Sequence, residues 1–423
     1  MKIKILKNSY IQIVFFFALF VLLPLFMTAS ADTETYEWDP DWVNTTEYVM
    51  TEQEPVDGID YVITVPEGRD ITILQIADAQ VESYDGIRTN YVDSEGNEYE
   101  DFTRFDQVDL ACFSSGIIDP YTRVYQYIEE GVTRAKPDII VLTGDNVYGE
   151  TDDSGESWLQ LIEVLDSFKT PWIMIFGNHD NESQMGVNWQ IDQVRNSEYG
   201  YIKDGDLENG NSNYTVGVKQ GGKMKYVFYM LDTNGCTEKP DNFGEGMLPY
   251  NPDIDDIQQK VGIFPDQLEW IEERDELIEE NYGEDTPSLM FLHIPPVETS
   301  YSVIERYADT YGKWPFYPNR DGDMGVATEH IGGFRTGGAL FAAAKEANCR
   351  GMFMGHQHEV ATSTYYKGIR LTYGLKTGTG SYHSPALLGT TKITISEEKN
   401  TFDVEYLFSE IEYPLMSQDL LIQ

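Results

Sequence analysis

The chain is short of cysteine, short of cations and nearly empty of long apolar runs. Its three cysteines, Cys112, Cys236 and Cys349, lie far apart with no CxxC spacing among 423 residues. That argues against a disulfide-framed scaffold and against a thiolate metal cluster, leaving buried thiols or at most a single bridge. Lysine and arginine total 29 against 72 acidic residues, for a formal net charge of −43. So little positive charge argues against nucleic acid or an anionic membrane as a partner, since both need cationic surface. An anionic small molecule could bind only where positive charge is concentrated locally, and a bound metal is the natural source.

One long apolar run exists, Ile11 to Met27, preceded by Lys2, Lys4 and Lys7 and followed by Ala29-Ser30-Ala31. A basic start, an apolar middle and a small-residue exit form the pattern of a secretory signal peptide. Residues 1–31 are therefore expected to be removed, leaving a secreted or extracytoplasmic chain with no membrane attachment. Removing three positive charges from −43 leaves −46. An uncleaved anchor is the alternative, because the run could just span a bilayer.

Residues 32–69 are acidic and irregular and are expected to form an N-terminal extension on the surface. From residue 71 onward strands and helices alternate. "ITILQIA", "DIIVLTGD" and "PWIMIFGNHD" are apolar strands with helical patterns between them, at Tyr121–Ala135 and "SWLQLIEVLDSF". This alternation predicts an α/β domain over 70–412 with buried sheets. "NYTVGVK" and "MKYVFYMLDT" should form a hairpin around Gly221-Gly222. Residues 413–423 are left as a C-terminal tail. Long connections fall at roughly 82–118, 233–262 and 298–335, lengths that usually cover a site or carry specificity.

Five apolar strands end in polar clusters: Asp78-Ala-Gln80, Gly144-Asp145-Asn146, Gly177-Asn178-His179-Asp180, His293, and Gly355-His356-Gln357-His358. Sites in open α/β sheets form at the carboxyl ends of strands, so these clusters should converge. Each has an ordinary structural explanation on its own: a core histidine, a strand end, a helix cap. Together they hold four of the six histidines in the chain, plus carboxylates and an amide. That donor set, with no thiolate, suits Zn, Mn or Fe.

In this order the clusters resemble the calcineurin-like metallophosphoesterase superfamily, whose pattern runs D-x-H, G-D, G-N-H-[D/E], a strand-end His, and G-H-x-H. "GD", "GNHD", "LHIP" and "GHQH" match outright, and "KPDIIVLTGDNVYG", "FPDQLEWIEE" and "YGLKTGTGSYH" look like its purple-acid-phosphatase-related branch. The resemblance implies a four-layered α/β/β/α sandwich. It implies a phosphoesterase that uses two metal ions (Fe, Mn or Zn) on a small phosphorylated substrate, with phosphate monoesters favoured over diesters. Asp145 would bridge both ions. Asp78 and His358 would hold metal one, and Asn178, His293 and His356 metal two. His179 would face the substrate, with Asp180 orienting its imidazole. Two such ions clamp a phosphoryl group and activate water. The departure is Gln80, where the family usually has His. Either the Gln80 amide oxygen or Tyr148, from a G-D-x-x-Y match, is a candidate additional ligand for metal one. A metal-binding exoprotein without catalysis is the reading from a different class.

Overall fold

The strand–helix alternation is realised as two sheets packed face to face. The computed structural model describes residues 42–82 (except 47 and 49), 90–92, 98–100, 120–148, 155–235 (except 184 and 206), 262–334 and 338–411. The expected signal peptide at 1–31, the tail at 413–423, Cys112 and Cys236 lie outside the described residues.

The smaller sheet runs β17 (Phe402–Phe408), β16 (Gly389–Ile395), β3 (Ile71–Ile76), β6 (Ile139–Thr143), β7 (Trp172–Ile175) and β8 (Gly200–Tyr201). Its centre, β3, β6 and β7, is parallel. These strands are apolar on both faces, as central parallel strands must be when each face is covered. The larger sheet runs β1 (Met50–Glu52), β2 (Tyr61–Val65), β9 (Tyr214–Gln220), β10 (Lys223–Met230), β11 (Ser288–Phe291), β13 (Cys349–Met354), β15 (Ile369–Tyr373), β14 (Val360–Tyr366) and β12 (Met324–Ala327). Its centre, β10, β11, β13 and β15, is also parallel. A separate short pair joins β4 (Asn90–Val92) to β5 (Glu98–Glu100).

Alternation along the strands builds the layers. Tyr226, Phe228, Leu289, Phe291 and Phe353 of the larger sheet share one core with Ile73, Val141 and Ile173 of the smaller. The intervening residues Val227, Tyr229, Met290, Met352 and Met354 point the other way. They meet Trp270 and Ile271 of α4 (Pro265–Tyr282), Val303 of α5 (Glu298–Arg306) and Phe341 of α6 (Ala339–Glu346). The outer face of the smaller sheet receives α1 (Pro120–Ala135), α2 (Glu156–Ser167) and α3 (Val187–Asn196), through Ile128, Leu161 and Val194 among others. The order is helix, sheet, sheet, helix, with one face of every strand serving each core. The hairpin between β9 and β10 turns on Gly221 and Gly222, both at positive φ, as a tight two-residue turn of this hand needs.

Two expectations need correction. Residues 32–69 are not wholly a surface extension, because β2 pairs in parallel with β9 inside the larger sheet. Ile59 and Ile63 are fully buried. The Asp60 carboxylate receives the Thr215 N–H at 3.0 Å and the Arg274 guanidinium of α4 at 3.4 Å. Tyr61–Val65 alternates buried and more open positions as a strand does, although acids flank it in the sequence. The connection at 298–335 is likewise not structureless, since it contains α5 and β12. Cys349 is free and buried.

Ile63→Ala separates these readings. A buried isoleucine truncated to alanine typically costs about 2–5 kcal/mol, whereas the same change on a surface extension would be nearly neutral. Denaturant unfolding should show the larger loss; an unchanged midpoint would return residues 61–65 to the surface.

Candidate metal centre

All five polar clusters follow the carboxyl ends of parallel strands, three from the smaller sheet and two from the larger. Asp78 follows β3, Asp145 follows β6, Asn178 and His179 follow β7, His293 follows β11, and His356 and His358 follow β13. The centre therefore sits across the two sheets rather than at one switch point. Four of its residues, Asp78, Gln80, Asp145 and His356, adopt positive φ. Non-glycine residues rarely do so, and here the sharp turns aim side chains back over the strand ends. Gly177 is required by proximity: a Cβ there would lie 2.2 Å from both the backbone nitrogen and the Oδ1 of Asp145.

The donors fall into two groups that share one residue. Asp145, His293 and His356 offer ligand atoms within 4.8 Å of one another, and so do Asp78, Asp145 and His358. Asn178 joins the first group, its Oδ1 lying 3.2 Å from His293 Nε2 and 3.0 Å from His356 Nδ1. Asp78, Asp145 and His293 are essentially inaccessible to solvent, while Asn178, His179 and His356 are partly exposed.

The histidine tautomers show that these groups suit a cation. His293 Nδ1 lies 2.9 Å from the Thr143 carbonyl oxygen, and His358 Nδ1 lies 2.8 Å from that of Tyr382. A carbonyl oxygen can only accept, so each Nδ1 donates its proton outward. Each Nε2 is left facing a carboxylate: Asp145 Oδ1 at 3.2 Å and Asp78 Oδ1 at 3.4 Å. Lone pairs facing lone pairs are stable only when a proton or a metal lies between them. Carbonyl-anchored imidazoles of this kind are what metal sites use to fix ligand orientation. The His356 N–H completes the frame by donating to both Asp78 oxygens at 3.0 Å.

Electrostatics divides the histidines. Burial alone would lower the His293 imidazole, but the Asp145 carboxylate raises it to about 9. Enclosure, then repulsion from His293, pushes His356 down to about 4. Burial favours the neutral Asp145 carboxyl, yet His293 and His179 hold it well below the usual carboxylate range. His356 is thus ready to coordinate at neutral pH, whereas His293 must first give up a proton.

The Calcineurin-like phosphoesterase family model matches residues 71–360. The chain belongs to that family. It is 25% identical over 279 residues to a probable inactive purple acid phosphatase 14 of Arabidopsis thaliana, covering 62% of this chain and 63% of the relative. It is 27% identical over 186 residues to the phosphatase DCR2 of Saccharomyces cerevisiae, covering 42% of this chain and 29% of that one. The chain thus spans less than two thirds of the length of these curated relatives. Among solved structures, a dimetal phosphatase from Danio rerio aligns over 81% of this chain and 100% of its own, at 13% identity and a TM-score of 0.40. A purple acid phosphatase from yellow lupin aligns over 82% of this chain and 56% of its own, at 12% identity and a TM-score of 0.35.

Against the family pattern, the role expected of Asp180 changes, and the surroundings of Tyr148 and Gln80 come into view. Asp180 does not orient His179 through its carboxylate. It is fully buried and accepts from the backbone N–H groups of Asn146, Val147 and Gly177 at 2.8, 3.0 and 2.7 Å, and from Asn146 Nδ2 at 3.1 Å. Asp180 is a brace that holds the β6 and β7 loops in register. Tyr148 lies against His179, with ring centroids 4.9 Å apart and the ring planes tilted by 55°. Gln80 has its amide oxygen engaged by the Lys376 ammonium, while its Nε2 donates to Asp145 Oδ2 at 3.4 Å. An ammonium can only donate, so the oxygen faces Lys376 while the amide N–H group faces Asp145. Sequence pattern alone does not assign Lys376 to the centre. The signal available was a lone cation in the glycine-rich "GLKTGTG" of a cation-poor chain.

Among the described residues, no helix is long and apolar enough to cross a membrane.

Metal binding to the His293 group should expel a proton. With His293 raised to about 9, it is protonated below that pH when no metal is bound. Titration calorimetry near pH 7.5 in buffers of different ionisation enthalpy should therefore give about one proton released per metal at this group, with affinity rising toward pH 9. Zero proton release would mean that His293 is already neutral.

Proposed function

We propose that this protein hydrolyses phosphate monoesters at a dinuclear metal centre, outside the cytoplasm. The observation that carries the reading is the sharing of Asp145 by two buried donor groups. Metal one would lie on Asp78, Asp145 and His358, and metal two on Asp145, Asn178, His293 and His356. Bound ions of Fe, Mn or Zn type would supply Lewis acidity toward a phosphoryl oxygen and lower the pKa of water.

The side chains do the rest. Asp145 fixes the spacing of the two halves, held by the His179 N–H at 2.9 Å. His356 fixes Asp78 through its backbone, and Thr143 and Tyr382 fix the His293 and His358 tautomers. His179 is partly exposed beside Asp145, where its imidazole would donate a proton to the departing oxygen. Tyr148 packs against that ring. With a net charge of −43, the substrate would be small and phosphorylated, drawn in by the centre alone rather than by the surface as a whole. Neither nucleic acid nor membrane is a partner in this reading. Export rests on the N-terminal run at Ile11–Met27.

The Arabidopsis relative is named as inactive, so catalysis must be tested directly. His179→Ala should lower turnover of an aryl phosphate monoester about 10²–10⁴-fold, with metal content by elemental analysis unchanged. Asp145→Ala should strip both metals. Wild-type protein that holds metal but turns over neither monoesters nor diesters would be a binding protein, and faster diester turnover would reassign the substrate.

Tyr148→Phe keeps the ring and should leave turnover and metal content nearly unchanged, whereas Tyr148→Ala should lower turnover alone. Loss of metal in Tyr148→Phe would restore the phenol as a ligand.

A further inference from the structure

Lys376 is 98% inaccessible yet carries an ammonium into the side of the centre formed by Asp78 and His358. Its position is fixed by the backbone. Residues 376–378 run alongside 77–78: the Thr377 N–H donates to the Ala77 carbonyl at 2.8 Å and the Gly378 N–H to the Asp78 carbonyl at 3.2 Å. From there Lys376 Nζ donates to the Asp78 carbonyl oxygen at 3.1 Å and to the Gln80 amide oxygen. Gln80 passes the polarity on through Nε2 to Asp145 Oδ2. No corresponding lysine contact is recorded on Asn178, His293 or His356 among the described residues.

Two consequences follow for a cation at Asp78 and His358. A fixed positive charge beside them repels a second one in a low-dielectric interior. The Gln80 oxygen, the one donor atom the sequence offers at the family's His position, is held away by Lys376. The other group meets Lys376 only through the neutral Gln80 relay to the shared Asp145, and no lysine lies against Asn178, His293 or His356 among the described residues.

We propose that Lys376 is a positioning residue that makes the centre unequal: it locks Gln80 out of coordination and weakens metal binding at Asp78 and His358, so that this ion exchanges readily while the other is retained. The inference rests on the dinuclear reading above and deepens it.

The test is metal stoichiometry rather than activity. Wild-type protein loaded with Mn²⁺ or Zn²⁺ and then dialysed should keep one equivalent. Stepwise titration of the metal-free chain should resolve two events separated by at least tenfold. Lys376→Met removes the charge at similar length and frees the Gln80 oxygen to turn toward the metal. It should tighten the weaker event by about 10–100-fold, the usual scale for groups behind the ligands. Gln80→His with Lys376 retained should tighten it less than Lys376→Met does. Two equivalents retained by wild-type protein, or two equal events, would overturn the proposal while leaving the dinuclear function standing, whatever becomes of the variants. A Lys376→Met protein that folds with a wild-type melting point and an unchanged weaker event would also overturn it. No metal bound at any step would sink both this inference and the function it rests on.

Discussion

Everything in the centre depends on burying the Asp145 carboxylate where two sheets meet. A carboxylate in that place is costly unless something cationic faces it. Its partners come from chain segments far apart in sequence: the His293 imidazole from the larger sheet, the His179 N–H from the loop after β7, and the Gln80 amide from the loop after β3. The same residue therefore ties the two sheets electrostatically and belongs to both donor groups. The Ile, Val and Phe interior between the sheets provides the rigid spacing that keeps these contacts in place. At roughly 1.5–3 kcal/mol for each fully buried large apolar side chain, that interior can support a few strained turns at its edge.

Those turns are where local preference yields to the site. Asp78, Gln80, Asp145 and His356 all sit at positive φ, a conformation that disfavours a non-glycine residue by about 1–2 kcal/mol. The surrounding hydrogen bonds hold them there. Asp180 is central to this support, because one buried side chain satisfies three backbone N–H groups from two loops. A brace of that kind looks in sequence like part of the chemistry, since it lies next to His179. Only the direction of its carboxylate distinguishes holding a loop from holding an imidazole.

Much of the architecture was legible for a simple reason. Central parallel strands are continuous apolar runs, and the polar residues that end them stand out against that background. The five strand ends, the Gly221-Gly222 hairpin and the helices at 120–135, 156–167 and 265–282 follow from such local contrasts. What escaped notice had no local contrast. β2 is a five-residue strand within an acidic stretch, and its place depends on pairing with β9 some 150 residues later. Lys376 lies inside the "YGLKTGTGSYH" stretch, but its meaning arises only when residues 376–378 lie against 77–78. Gln80 was visible as a departure, but its replacement partner was nearly three hundred residues away.

The departure at Gln80 and the buried Lys376 are then one feature rather than two. A histidine at position 80 would present a nitrogen lone pair to a cation and could not accept an ammonium proton without giving up that role. A glutamine can face both ways, its oxygen toward Lys376 and its amide toward Asp145. The pair delivers part of a positive charge to the shared carboxylate through a neutral relay, with no metal needed for that contact. In a chain with so few cations, placing one of them at 2% exposure beside the centre is a specific structural commitment. The two halves of the centre therefore differ in kind: one is framed by imidazoles and an amide oxygen, and the other is framed by a carboxylate and an imidazole with a resident ammonium behind them.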